Sequence, residues 1–165
     1  MTEVGGGSRA ACRTGAGNKP GNKHCVFCGI VDGSVGASVV HQDEATLAFL
    51  DLRQPTWPRA GSVLVVPRQH VEQVDELPAD LAGAVMGTVV RVAGAVRKAL
   101  APEGISVWSS NGPAAGQEVP HVHLHVVARF AGDGLLRVYA EKPPYPDRPE
   151  LDRLAARIAS GLEPG

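Results

Sequence analysis

The run HVHLH at residues 121–125 places three of the chain's six histidines at every second position. Valine-rich alternation favours a β-strand, in which residues two apart leave the same face and lie roughly 6.5–7 Å apart along it. We therefore expect His121, His123 and His125 to line one face, with Val122 and Leu124 on the core side. Such a row of imidazoles could be a solvated face, a metal site or a catalytic site.

A pair of cysteines, Cys25 and Cys28, has the CxxC spacing that lets two thiolates bind one metal ion. The same spacing also occurs in redox motifs that open a helix, and by chance. Here it begins the ordered chain, before a predicted hairpin, which favours structural zinc. With His70 and His121 the pair would make a Cys2His2 site, closed by four protein ligands and therefore unable to activate water. Spacing alone leaves open a reduced, buried cysteine pair and a surface His70.

The loop before the histidine run, NGPAAGQ at 111–117, is suited to a phosphate group. Its glycines let backbone N–H groups approach an anion, and Asn111 and Gln117 add amide donors. His125 can be a further donor, and His123 is the candidate nucleophile, since a neutral imidazole can attack phosphorus. The other ring nitrogen of His123 would then need an acceptor, such as a backbone carbonyl of the same loop.

The elements that must position these residues follow from periodicity and turn residues. Residues 24–33 are expected to form a tight cysteine turn and a short apolar segment. The long helix should begin at Leu77–Pro78 and pack through Leu81, Val85, Val89, Val92 and Val96. The other predicted elements are a hairpin over 37–52, an interior strand over 62–67, strands over 105–111 and along the histidine run, and a terminal helix over 147–163. This order predicts the α+β class, an antiparallel sheet with a helix packed on it.

A length of 165 residues suggests one domain. The Gly-rich segment 1–23, which contains Cys12, is predicted to be a disordered tail. The domain should span 24–140, followed by a C-terminal extension, 141–165, that carries the terminal helix.

Composition excludes several classes of protein. A net charge of −1 gives no field for nucleic acid, and 4% aromatic residues argue against a base-stacking surface. No signal peptide and no apolar run of membrane-spanning length is apparent, so we expect a cytoplasmic protein without membrane association. Its three cysteines should then be reduced.

Five blocks in order resemble the histidine triad (HIT) superfamily, most closely its zinc-bearing bacterial branch. They are CVFC, TLAFLDL, VLVVPRQH, NGPAAGQEVPH and HVHLHVV, and they extend from Cys25 to Arg129. The resemblance implies an antiparallel α+β fold and a homodimer formed through the long helix and a neighbouring strand. It also implies binding of a purine nucleotide or nucleotide conjugate, with hydrolysis or transfer at the α-phosphate through a nucleotidyl-histidine intermediate.

Carried over by position, the resemblance implies a role for each site residue. His123 would be the nucleophile and His125 a phosphate contact. Asp51 would bind ribose, although it could be only a turn residue. Phe49 and Leu52 would lie near the base, although they could be only core. The remaining positions are phosphate contacts at Asn111 and Gln117 and structural zinc ligands at Cys25, Cys28, His70 and His121.

The sequence departs from the family pattern at four places. Ser62 replaces the usual histidine, the loop 53–61 is longer than the common form, Ala128 replaces proline, and Glu118 replaces the serine that many phosphoramidases use to protonate the leaving group. Glu118 therefore weakens the prediction of phosphoramidate hydrolysis. Three alternatives remain: a dinucleoside polyphosphate phosphorylase, a nucleotide-binding regulatory module with incidental activity, and a zinc-stabilised scaffold.

Overall fold

The computed structural model describes residues 25–59, 61–135 and 146–162. The predicted tail at 1–23, with Cys12, lies outside the described residues. The chain divides into two units, of which the first ends at Asp133 and the second begins at Gly134.

Five antiparallel strands form the sheet of the first unit. They are β1 (Val39–Gln42), β2 (Thr46–Leu50), β3 (Ser62–Pro67), β4 (Gly104–Trp108) and β5 (Leu124–Arg129), arranged in the order β1-β2-β3-β5-β4. The predicted hairpin is confirmed as β1 and β2. The almost wholly apolar β3 is buried at every position and occupies the middle of the sheet, as its composition predicts.

A long helix, α2 (Ala79–Leu100), covers one face of the sheet. Val85, Val89, Val92 and Val96 pack in one core cluster with residues of β3 and β5, which confirms four positions of the predicted apolar stripe. Leu81, the fifth, is only half-buried and lies outside the cluster. By length and composition α2 is the one described helix that could cross a membrane, which is weak evidence, and its buried valines pack against the sheet.

The segment predicted to be a cysteine turn is instead a helix, α1 (Val26–Asp32), with Cys25 at its N-cap. Gly33 ends it in the left-handed conformation, φ +81°, where its N–H bonds to the Ile30 carbonyl. Phe27 and Val31 pack with Phe49 and other residues of β2 and β3 on the sheet face opposite α2. With only seven residues, α1 is too short to be recognised by helical periodicity.

The histidine run also differs from its prediction, because β5 begins only at Leu124. His121 and His123 precede the strand in a segment without regular secondary structure, where the Val122 N–H bonds to the Val71 carbonyl. The predicted alternation is nevertheless present: Leu124 packs in the α2 cluster, whereas Phe27 of α1 contacts the rings of His121 and His123.

In the second unit, the terminal helix α3 spans Arg148–Ala159, within the predicted range. Asp147 and Glu150 form a capping box at its start. The fold is thus α+β, with a five-stranded antiparallel sheet and three α-helices among the described residues.

Candidate functional site

Two cysteines and two histidines meet where α1, β3 and β5 come together. Cys25, Cys28, His70 and His121 are all buried, and one ligand atom from each lies within 4.8 Å of the other three. The Cys28 Sγ is 3.3 Å from the His70 Nδ1, and the Cys25 Sγ is 3.6 Å from the His121 Nδ1. The structure therefore brings together the four predicted ligands, from three separate stretches of the chain.

The protonation of His121 suits a metal ligand. Its Nε2 lies 2.9 Å from the Pro67 carbonyl, which can only accept, so this nitrogen donates and Nδ1 presents its lone pair to the cysteines. Burial lowers the pKa of His121 to about 4, which keeps the ring neutral. Two sulfurs and two imidazole nitrogens are the donor set that Zn²⁺ prefers, so these residues fit a structural zinc ion.

His123 lies next to this cluster, at the wall of a cleft. Its Nδ1 is 2.8 Å from the His121 carbonyl and donates to it, which leaves the lone pair on Nε2. A backbone carbonyl therefore accepts from His123, but it belongs to His121 and not to the loop 111–117, where the sequence predicts it. Edge contact with the Phe27 ring, 5.2 Å between centroids, restrains the imidazole from a second side.

His125 is held by two groups of different chemistry. The indole of Trp108, its neighbour on β4, stacks on the imidazole with centroids 4.6 Å apart and planes inclined by 5°. The Asp51 Oδ2 lies 3.9 Å from the His125 Nδ1. Burial lowers the pKa of His125 to about 4, assisted by His123 and opposed by Asp51. At neutral pH His125 is therefore an uncharged hydrogen-bonding group.

These histidines open into a cleft of about 680 Å³ between α1, the end of β2 and the loop before β5. Of the residues predicted to bind substrate, Phe49, Asp51, Leu52 and His125 line it. Phe49 is buried and also belongs to the core cluster, whereas Leu52 is fully exposed at the cleft. A cleft with apolar walls and a few polar groups is typical of a small-molecule site.

Asn111 and Gln117 are placed differently, because their amides are occupied by hydrogen bonds within the protein. Asn111 Oδ1 accepts from the Val74 N–H, and Gln117 Nε2 donates to the Glu72 carbonyl. Gln117 Oε1 also accepts from the Gly112 N–H within the loop. Neither residue is among those that line the cleft. In this structure they fix the loop, whose Gly116 and Glu118 reach the cleft.

Gln54 explains how the long loop 53–61 keeps the cleft intact. Its Oε1 accepts from the N–H groups of Gly61 and Ser62, and its Nε2 donates to the carbonyls of Asp51 and Ser62. The two ends of the loop are therefore joined by one side chain. The Ser62 side chain, which replaces the family's histidine, is buried at the start of β3.

Sequence reasoning missed three groups of the site. The Phe27 ring contacts His123, and the Trp108 indole stacks on His125. Arg53 pairs with Glu118, with 2.9 Å between Nη1 and Oε1. Phe27 could have been noticed, because it lies between the two cysteines. The pair of Arg53 and Glu118 joins positions 65 apart and leaves no local sequence signal.

Comparison with known proteins agrees with this geometry. The HIT domain family matches residues 33–132, and the chain therefore belongs to the HIT family. An uncharacterized HIT-like protein of Methanocaldococcus jannaschii is 43% identical over 71% of this chain and 88% of its own length. An adenosine 5'-monophosphoramidase of Schizosaccharomyces pombe is 33% identical over 84% of this chain and 98% of its own. An adenylylsulfatase of Arabidopsis thaliana is 28% identical over 82% of this chain and 66% of its own.

Two solved structures bear on the fold and on the cysteine–histidine cluster. A HIT family protein from Bacillus subtilis has a TM-score of 0.78 and 32% identity, over 87% of this chain and all of its own. A zinc-bound histidine triad family protein from Mycobacterium smegmatis has a TM-score of 0.63 and 35% identity, over 84% of this chain and 98% of its own. Both confirm the predicted α+β HIT fold.

Proposed function

We propose that the protein is a nucleotide hydrolase or nucleotidyl transferase that acts at the α-phosphate of a nucleoside monophosphate derivative. The observation that carries this proposal is the hydrogen bond from His123 Nδ1 to the His121 carbonyl, which leaves Nε2 as the nucleophilic nitrogen beside the cleft. Relatives named for hydrolysis of adenylyl compounds support the reaction class.

The roles of the other residues follow from their chemistry. Attack by His123 makes a nucleotidyl-imidazolium, whose Nδ1–H the His121 carbonyl stabilises. His125, neutral at this position, donates one N–H to the phosphate. Asp51 accepts ribose hydroxyls, while Phe49 and Leu52 contact the base from the cleft wall. Asn111 and Gln117 support the phosphate by holding the loop whose backbone faces it.

The cluster of Cys25, Cys28, His70 and His121 would hold a structural zinc ion. Zinc there would neutralise the two thiolates and join α1 to the sheet. A cytoplasmic location fits this role, because it keeps both thiols reduced.

Replacement of the nucleophile tests the reaction. His123→Asn should lower kcat/KM for adenosine phosphoramidate, aminoacyl adenylate and diadenosine tetraphosphate by about three orders of magnitude or more, since the intermediate cannot form. His41→Asn is the matched control, because His41 lies on β1, pairs with Asp43 and does not line the cleft. Mass spectrometry of the denatured proteins should find a nucleotidyl adduct on His123 in the His41→Asn control and no such adduct in the His123→Asn variant.

The same panel separates the alternatives. Turnover that requires added phosphate would indicate a phosphorylase, and tight binding without turnover would indicate a regulatory module. Undiminished hydrolysis by His123→Asn would contradict the proposal.

A further inference from the structure

Few charged side chains line the cleft, and more of them are acidic than basic. Among the residues that the structure describes, the charged side chains that line it are Asp51, Arg53 and Glu118. His125 adds no charge at neutral pH. Arg53 is therefore the one permanently cationic side chain among the described lining residues, in a site that must receive an anionic phosphate.

Arg53 and Glu118 meet at the cleft from two separate segments of the chain. Arg53 follows β2, whereas Glu118 stands in the loop before the histidine run. The Arg53 Nη1 donates to the Glu118 Oε1 at 2.9 Å, and the Arg53 Nε is 3.9 Å from the Asp51 Oδ1. The side chains of Arg53 and Glu118 are 69% and 68% exposed, so water competes for both charges and the pair can exchange partners at little cost.

Glu118 is poorly suited to release an amine leaving group. An amine must take a proton as its bond to phosphorus breaks, and an ionised carboxylate has none to give. The hydrogen bond and charge of Arg53 lower the pKa of Glu118, so that it is ionised at neutral pH. An oxyacid such as phosphate, in contrast, leaves as an anion and needs a cation beside it.

We propose that Arg53 is a specificity-determining residue that breaks its ion pair with Glu118 and binds the departing oxyanion. The substrates are then nucleotides whose α-phosphate is joined in anhydride linkage to a second phosphate. This inference rests on the proposed function of the same cleft. The Arg53 guanidinium can bind two oxygens of a phosphate through parallel hydrogen bonds. A serine hydroxyl at position 118 is uncharged and has one donor, so it could not bind the oxyanion in this way.

The reaction balances with water as its only co-reactant. The Nε2 lone pair of His123 forms the N–P bond, the bridging P–O bond breaks, and its electron pair leaves with the terminal phosphate, bound by Arg53. Water then attacks the same phosphorus, the N–P pair returns to Nε2, and the proton of the water passes to solvent. The products are a nucleoside monophosphate and the released phosphate compound.

Binding tests Arg53 independently of turnover. Calorimetry would compare adenosine monophosphate with α,β-methylene adenosine diphosphate, which carries an uncleavable second phosphate. We expect the wild-type protein to bind the diphosphate analogue more tightly, and Arg53→Gln to lose roughly ten- to hundredfold of that preference, as for a charged hydrogen bond. Arg59→Gln removes an equal charge from the same loop but outside the cleft lining, since the Arg59 guanidinium lies over the Phe130 ring, and should keep the preference. Equal binding of both ligands by the wild type, or an unchanged preference in Arg53→Gln, would overturn the proposal.

Kinetics test the leaving group. The ratio of kcat/KM for diadenosine tetraphosphate to that for adenosine phosphoramidate should favour the anhydride in the wild type. This ratio should be at least about tenfold lower in Arg53→Gln than in the wild type. It should also be lower in the separate variant Glu118→Ser, which introduces a hydroxyl proton donor. A ratio that neither variant changes would show that Arg53 does not choose the leaving group. The proposed function would survive that result, because it fails only if His123→Asn retains turnover.

Discussion

The environment of His125 makes a prediction about acid stability. Burial beneath the Trp108 indole, with a smaller effect of His123 and Arg53, lowers its pKa from 6.5 to about 4, and Asp51 only partly opposes this. Between pH 6.5 and 4 the unfolded chain therefore binds a proton at His125 that the folded chain does not bind. The contribution of His125 to the free energy of unfolding is complete above pH 6.5 and is lost as the pH falls toward 4.

Urea unfolding at pH 7, 5.5 and 4.5 would measure this dependence. His125→Gln should show a shallower fall in the free energy of unfolding than the wild type, because glutamine does not titrate. Equal slopes for the two proteins would contradict the assignment of the shift to His125. His121, whose pKa is lowered in the same direction, contributes to both proteins and so cancels in the comparison.

At the residue scale, the sequence predicts which residues belong to the site better than it predicts which residues contact one another there. The four candidate metal ligands could be named from CxxC spacing and two histidines, and the structure brings them together. The sequence also predicts a backbone carbonyl as the Nδ1 acceptor of His123, but it places this carbonyl in the preceding loop, whereas the His121 carbonyl is the acceptor. The partner of Glu118 could not be predicted, because Arg53 lies in the loop after β2, 65 positions earlier in the chain. Its long, flexible side chain could reach several other groups.

At the scale of elements, α1 is a short helix that the proposed metal site would help to stabilise. Seven residues are too few for a helix to persist in water by itself, so burial of Phe27 and Val31 and the proposed zinc site must hold it. Phe27 also contacts the rings of His121 and His123. Loss of the metal should therefore loosen α1 and one wall of the cleft together.

Cys28→Ser should abolish stoichiometric zinc, measured by elemental analysis, and lower the free energy of unfolding by about 3 kcal/mol or more. It should also weaken nucleotide binding, because Val26, Phe27 and Ile30 of α1 line the cleft. The matched control is Cys12→Ser, which changes the third cysteine outside the described residues and should retain one zinc per chain. Absence of zinc from the wild-type protein would refute the metal assignment.

The long and periodic elements were predictable, and the short ones were not. α2 repeats its valines over about three turns, and β3 is apolar throughout, so each pattern identifies its element without help from the rest of the chain. The sequence predicts a turn in place of α1 because the helical conformation depends on packing against β2 and β3, which leaves no local pattern. The start of β5 was predicted too early for a related reason: His121 turns its ring to the cysteines before ladder pairing begins at Leu124.

At the scale of the whole molecule, the homodimer that the family resemblance implies would give α2 a second packed face. Met86 and Val90, one turn apart on α2, are 51% and 66% exposed, on the side away from the buried valines. β4 stands at the end of the strand order and presents Val107, which is 45% exposed. Isolated exposed aliphatic residues are ordinary, but a group on a helix and an edge strand is suited to self-association.

Light scattering of the purified chain should therefore give twice its mass of 17.2 kDa. Val90→Glu should shift the protein toward the monomer, because a dimer through α2 would bury two like charges near its two-fold axis without partners. Val40→Glu makes the same change on β1, at the opposite edge of the sheet, where the valine is 44% exposed, and should leave the mass unchanged. A monomeric wild-type protein would refute the dimer. A dimer broken by Val40→Glu and not by Val90→Glu would instead place the interface at the β1 edge, beside the residues 35–38 that line the cleft.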